Sequence, residues 1–456
     1  MANHEDLAQI HVDENSDEVE KNSEKTKERK KSNFQKYAEN NSVGGLSFVL
    51  TSSSKIRRVL WLAIILICVT ISLYLLRNSF SKIINRPTST TITSDPNLSL
   101  DFPAVTICNV NIFSAEKLIK NGISVGDVTE AYNDPDKCQY LNGLNFTISD
   151  LINTTVSRFI TFCNFGEYPC SDEDFVFTLN QLNACFTFNS GTKKPILKVN
   201  GTGVRQGLEL TLDIFQDDYV GTMNEDAGVK ITVHPQGEPP LPNDLGLAAA
   251  PGTNAFIGFR KKVFDDQTER ECLAQSDRKW KHLSEAVSYS YAGCQEDSFT
   301  DILLNECSCV LSTDYLPQAT LHKVCELPDL CCYLSQYYNT HGETCRPSCK
   351  RDVFEIVSAT YTQFPARYSQ NSTEQRKFAQ ENTILANIYY ENLNVQTQTT
   401  VYSYGVEEFF AEIGGQLGLF IGVSVITLFE FVVFLLDEIK DRWIKPRWKT
   451  KRALQS

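Results

Sequence analysis

The sequence predicts an α+β protein in which two transmembrane helices flank a large disulfide-rich ectodomain with a β-sheet core and peripheral helices. Three observations predict it. Two stretches, "VLWLAIILICVTISLYLL" at 59–76 and "GGQLGLFIGVSVITLFEFVVFLL" at 414–436, are long and apolar enough to cross about 30 Å of hydrocarbon. Of fifteen cysteines, Cys68 lies in the first stretch, and the other fourteen fall between Cys108 and Cys349. Between the stretches, short runs of alternating or β-branched residues are set off by turn residues.

In chain order, residues 1–58 form a polar N-terminal tail expected on the cytoplasmic side. Its first forty residues pass from an acidic half into the basic run "KNSEKTKERKK" and read as disordered. The first span, 59–76, starts too late and is too long for a cleaved signal peptide. Residues 77–412 are expected to be extracellular, with a turn-rich linker at 86–99. "FPAVTICNV", "LELTLDIF", "GVKITVHP" and "NAFIGFRKKVF" read as strands, and 294–340 is richer in helix formers. The second span, 413–436, precedes a C-terminal cytoplasmic tail, 437–456.

Three features set this topology. Fourteen cysteines confined between the spans imply an oxidising compartment. Five glycosylation acceptors, Asn97, Asn145, Asn153, Asn200 and Asn371, share that region. Basic residues flank both spans on the other side: Lys55, Arg57 and Arg58 before the first, and seven bases from Lys440 to Arg452 after the second. The whole chain carries −13. The N-terminal tail is neutral, the C-terminal tail is +4 and Glu430 is alone in the second span, which leaves −16 on the ectodomain. An acidic ectodomain attracts cations, although acidity also serves solubility.

The second span is unusual. Its first nine residues hold four glycines, and Glu430 sits in its interior. Glycine weakens a helix by about 1 kcal/mol relative to alanine, and a carboxylate facing lipid costs a few kcal/mol or more. Gly414, Gly418 and Gly422 form a stripe on a helix, with Gly415 beside it. Such a stripe serves close helix packing as readily as a pore. Glu430 favours water or a partner. In one unbroken helix it lies about 80° from Gly422. Either two faces do different jobs, or the helix breaks near "GVS", where bare backbone lines a water-filled path. Two spans cannot enclose a pore, so rotational symmetry is needed. Glu407, Glu408 and Glu412 would then ring the outer mouth, and Asp437 and Glu438 the inner one.

These residues resemble the degenerin/epithelial sodium channel family, and the acid-sensing and peptide-gated sodium channels within it, over roughly residues 44–440. "GGQLGLFIGVSVITLFE" is similar to the second span of acid-sensing channels. "FPAVTICN", "GLELTLDIFQDDY" and "DAGVKITVHPQGEPPLPNDLGLAAAPG" are similar to the family's post-span strand and central β-rich region. The resemblance implies a trimer of two-span subunits. It assigns Gly422, Val423 and Ser424 to a selectivity filter, Gly418 to amiloride block, and Ala411 to a position where bulk holds the pore open. Glu412, Gly414, Gly415 and Glu430 complete the pore and gate. Leu393 and Asn394 match a linker that swivels during desensitisation. Gly44 and Gly45 stand at the family's pre-span His-Gly pair, with the histidine replaced. Val433 replaces a second intramembrane acid, and a wrist tryptophan before Cys272 is missing. The implied disulfides are Cys108–Cys185, Cys163–Cys170, Cys272–Cys349, Cys294–Cys345 and Cys309–Cys325. Cys307 pairs with Cys331 or Cys332, leaving the other for Cys138. One family pair is lost on both sides, at Ser298 and Glu343.

The implied function is a sodium-selective, amiloride-sensitive cation channel of the plasma membrane, built with other subunits of its family and opened by an extracellular ligand such as a neuropeptide. The alternatives are proton gating, or constitutive or mechanical opening. A two-span receptor would leave Glu430 unexplained. ATP-gated trimeric channels share the topology but call for a Lys/Arg cluster, against an ectodomain at −16. Six scattered histidines give no enzyme-like constellation. The expected partners are sodium ions, sister subunits, an extracellular peptide and the lipid bilayer, with no nucleic acid, cofactor or metal.

Overall fold

The computed structural model describes residues 48–49, 52, 54–134, 137, 141–152, 156–220, 226–274, 279–312, 314–317, 322–339, 345–365 and 372–440. The pre-span residues Gly44 and Gly45, both tails beyond these limits, Cys138, Glu343, Asn153 and Asn371 lie outside them. The chain divides into two compact units, Ser89–Val401 and the two chain ends up to Thr88 and from Tyr402.

The elements follow in order. Helix α1 (Lys55–Asn85) leads to strands β1 (Thr88–Pro96), β2 (Leu100–Asp101) and β3 (Ala104–Asn109), then to α2 (Ala115–Lys120) and α3 (Val125–Asn133). Next come β4 (Ile160–Phe165), β5 (Tyr168–Pro169), β6 (Phe175–Asn180), β7 (Asn183–Phe188), β8 (Lys198–Val199) and β9 (Leu208–Asp213). They are followed by β10 (Val229–His234), β11 (Leu247–Ala249) and the long β12 (Thr253–Asp266). Helix α4 (Tyr291–Ile302) and α5 (Leu330–Asn339) precede β13 (Lys350–Gln363), α6 (Thr373–Asn382), β14 (Thr383–Tyr390) and β15 (Asn394–Tyr402). The chain then enters α7 (Val406–Ile421) and α8 (Val425–Ile439).

In the central unit, an eight-stranded sheet runs β1-β15-β12-β14-β9-β4-β5, with β13 also on β12. A five-stranded sheet runs β11-β10-β3-β7-β6. The inner faces share one core, in which Phe102, Phe188, Leu210, Ile231, Ile257 and Ile388 are buried. The alternation in "LELTLD" is what buries Leu208, Leu210 and Leu212 together. Strand β12 carries a bulge at Gly258/Phe259. A Cβ at Gly258 would stand 2.4 Å from Ser358 Oγ, so a larger residue there would have to displace the Ser358 and Glu391 side chains. Gln181 and Leu182, at the β6–β7 turn, both adopt positive φ, at 49° and 64°. That strain costs roughly 1–3 kcal/mol per residue, and burial of Leu182 in a second, helical core offsets part of it.

The second core joins α2, α3 and α5, with Phe113, Leu118, Leu141, Leu327 and Tyr333 fully buried. The segment expected to be helical over 294–340 is only partly so. Helix α4 ends in a π turn at Leu303–Cys307, and helix resumes with a 3-10 turn at Leu327–Asp329 and then α5. Cysteine pairing interrupts it. Between described residues the disulfides are Cys108–Cys185, Cys163–Cys170, Cys272–Cys349, Cys294–Cys345, Cys309–Cys325 and Cys307–Cys332. Of the two partners left open for Cys307, the structure selects Cys332, and Cys331 is itself disulfide-bonded. The longer loops so closed are each worth roughly 3–5 kcal/mol in the chain-entropy account. Among the described residues only Cys68 is free.

The unit of the chain ends has inverted polarity. The buried residues of α1 are Ser72 and Ser79, while Leu60, Ile64, Leu66, Ile67 and Leu73 face outward. A water-soluble helix does the reverse. Lipid is as apolar as leucine and leaves small and polar residues to mediate helix contacts. Helix α1 extends beyond the apolar stretch 59–76 on both sides. It ends where Arg86 turns left-handed at φ 44° and its N–H bonds the Lys82 carbonyl. Pro87 follows and lacks the N–H a further turn needs.

Candidate ion-conduction site

The stretch 413–436, expected as one transmembrane helix, is two helices. Helix α7 begins seven residues earlier, at Val406, and α8 leaves it at 74°. Local sequence encodes the break. Gly422 adopts φ 73°, open to glycine at little cost, and its N–H donates to the Gly418 carbonyl at 3.1 Å. Val423 N–H donates to the Leu417 carbonyl at 3.2 Å. Ser424 then starts α8. Its Oγ accepts the Thr427 N–H at 3.3 Å, and its own N–H donates to Thr427 Oγ1 at 3.1 Å. A glycine stop followed two residues later by a serine cap is therefore a helix–break–helix instruction. The capping partner Thr427, the buried residue of α8, was missed in the sequence, although Ser-x-x-Thr at a helix start was a legible signal.

The break also corrects the glycine stripe. Gly422 terminates α7 and does not extend the row of Gly414 and Gly418. A Cβ added at Gly414 or Gly415 would meet nothing within 4 Å, and at Gly418 it would meet only the Val423 carbonyl oxygen at 3.8 Å. These glycines do not serve packing within the chain. Ala411 is exposed and Glu430 half-buried.

Glu412 is engaged within its own chain. Its Oε1 lies 3.0 Å from Lys82 Nζ, and its Oε2 accepts the Tyr404 hydroxyl. One turn along α7, Gln416 Nε2 donates to Ser79 Oγ at 3.1 Å, and Phe80 meets Phe409 edge-on at 5.0 Å. Lys82 and Ser79 escaped the sequence reading because 330 residues separate Lys82 from Glu412 and 337 separate Ser79 from Gln416, and Tyr404, only eight residues before Glu412, was missed as well. Glu408 accepts the Gly405 N–H at 2.9 Å, and Glu407 is exposed.

In the central unit, Leu393 packs partly buried against the sheet core, its carbonyl accepting the Asn97 N–H at 3.2 Å, while Asn394 is exposed. Asn97, Asn145 and Asn200 are exposed. A cleft of about 720 Å³ is lined by Thr178, His234, Gly237, Glu238, Asp314 and Tyr315. Burial first, and then the neighbouring Asp352 carboxylate, push the Glu238 carboxyl up to about 8. Burial raises Glu296 to about 7 and lowers His234 to about 4.

A disulfide-stapled α+β unit, together with chain ends whose helices turn apolar residues outward and break at Gly-Val-Ser, has the form of a membrane channel subunit. The sequence model of the family described as "Amiloride-sensitive sodium channel" matches residues 37–434, and the chain belongs to that family. The family is one of ion channels, not enzymes. Acid-sensing ion channel 4-B of Danio rerio is 26% identical over 91% of this chain and 78% of that protein. The bile acid-sensitive ion channel of Homo sapiens is 28% identical over 90% of this chain and 86% of that protein. Among solved structures, the cryo-EM structure of a proton-activated chloride channel aligns with a TM-score of 0.35 at 8% identity, over 83% of this chain and 97% of that one, too weak a likeness to carry an argument.

Proposed function

We propose that this chain is one subunit of a trimeric, sodium-selective, amiloride-sensitive cation channel of the plasma membrane, with both termini cytoplasmic and an extracellular peptide as its opening stimulus. The observation that carries the reading is the capped break at Gly422-Val423-Ser424 between two apolar helices. Non-helical backbone at membrane depth is tolerated where it lines a water-filled path. Carbonyl and hydroxyl oxygens there replace part of an ion's hydration shell. Gly414 and Gly415 face open space and Ala411 and Gly418 are exposed in the single chain, which suits helices that meet copies of themselves. The exposed Asn97, Asn145 and Asn200 suit an extracellular central unit. The cleft lined by Asp314 offers a carboxylate to a basic peptide.

A second reading has its own observation. Glu238 and Glu296 exchange protons near neutrality, which favours opening by acid. Recording from oocytes expressing the chain separates the two. A peptide-gated channel stays shut on a step to about pH 5 and opens to an amidated peptide, whereas a fast inward current at that pH without peptide selects protons.

A further inference from the structure

We propose that Lys82 is a positioning residue for the cation path. Its ammonium, with the Tyr404 hydroxyl, ties down both oxygens of Glu412 and keeps this outer-pore carboxylate from binding divalent cations. The inference rests on the channel reading above. In a symmetric assembly each subunit brings one Glu412 towards the axis. Three free carboxylates would supply the clustered oxygens that a hard divalent cation such as calcium requires. Here the supply is blocked. Lys82 Nζ holds Oε1 at 3.0 Å, and Tyr404 donates to Oε2. The ammonium also sits over the Tyr404 ring, 5.3 Å from its centroid, so it is fixed from two sides. The Gln416–Ser79 bond one turn along holds the two helices in the register the bridge needs. Each Lys82–Glu412 pair is neutral, so three copies add no net charge to the mouth.

The test measures external calcium block of sodium current in the unmodified chain, Lys82→Met, Lys82→Arg and Lys82→Met/Glu412→Gln. Removing the ammonium frees the carboxylate. Lys82→Met is expected to lower the half-blocking calcium concentration roughly tenfold or more. Lys82→Arg should stay near the unmodified value, and the double variant should lose the gain. Unchanged block in Lys82→Met, or a gain that persists after Glu412 is neutralised, overturns the inference. Absence of any sodium current from the unmodified chain, expressed alone and with related subunits, would instead contradict the channel reading. A measurement without current guards against variants that misassemble. In membranes, Lys82→Cys/Glu412→Cys should be bridged within one chain by a short bifunctional thiol reagent, and failure to bridge after both thiols are shown to react contradicts the contact.

Discussion

Ser424 and Thr427 cap each other: the serine hydroxyl accepts the threonine N–H at 3.3 Å, and the threonine hydroxyl accepts the serine N–H at 3.1 Å. Together with left-handed Gly422, this reciprocal cap fixes where the second apolar helix begins and how far the backbone is bared before it. Ser424→Ala removes the serine half of the cap, which costs about 1 kcal/mol. Gly422→Ala forces a Cβ into a left-handed residue, at roughly 1–2 kcal/mol. Both, and Ser424→Asp, which keeps a capping oxygen but adds charge, are expected to change the sodium-to-potassium permeability ratio. Reversal potentials in paired sodium and potassium solutions check this. Unchanged ratios with normal surface expression would remove these residues from the filter.

Bulk at Ala411 is expected to hold the pore open. The residue is exposed on α7, and in a symmetric assembly its copies would crowd one axis. Ala411→Phe, or Ala411→Cys treated with a thiol reagent, should give standing cation current. No change in open probability after confirmed modification places Ala411 away from the gate.

How much of this was legible is uneven, and the reason is distance along the chain. Strand segments such as "LELTLDIF" were visible because alternation is local. The helix break was visible as an alternative because glycine and serine act on their immediate neighbours. The Lys82–Glu412 bridge was not, since an ion pair between distant residues leaves no periodic trace. The limits of α1 were also hidden: its end at Asn85 depends on the left-handed Arg86 and on Pro87, not on where the apolar run stops at Leu76. The division of the strands into two sheets depends on non-local pairing, such as β12 lying parallel to both β14 and β15.

Glu238 makes stability fall as pH rises near neutrality. Its folded carboxyl is raised to about 8 from 4.5. Over that interval the folded chain holds a proton the unfolded chain has released. The contribution is complete below the unfolded value and is lost as pH rises through about 8. Glu296 acts in the same sense up to about 7. His234, lowered to about 4 from 6.5, acts oppositely and only below 6.5. Between about 7 and 8 Glu238 therefore dominates. The thermal midpoint of the detergent-purified protein should fall across that window, and Glu238→Gln should flatten the fall. An unaltered slope contradicts the assignment.

Replacing Asn97, Asn145 or Asn200 with glutamine should each increase electrophoretic mobility by one glycan, and after enzymatic deglycosylation all variants and the unmodified chain should migrate alike. Identical mobility of all three variants and the unmodified chain would place the central unit on the wrong side of the membrane.

Sodium current is the central claim, and its most direct measurement is voltage-clamp recording from cells expressing the chain, alone and with related subunits. The account predicts an inward current that amiloride blocks and whose reversal potential follows external sodium. A chain confirmed at the surface in both conditions whose current reverses with chloride, or which carries no amiloride-sensitive current under peptide, acid or the Ala411 modification, would contradict it.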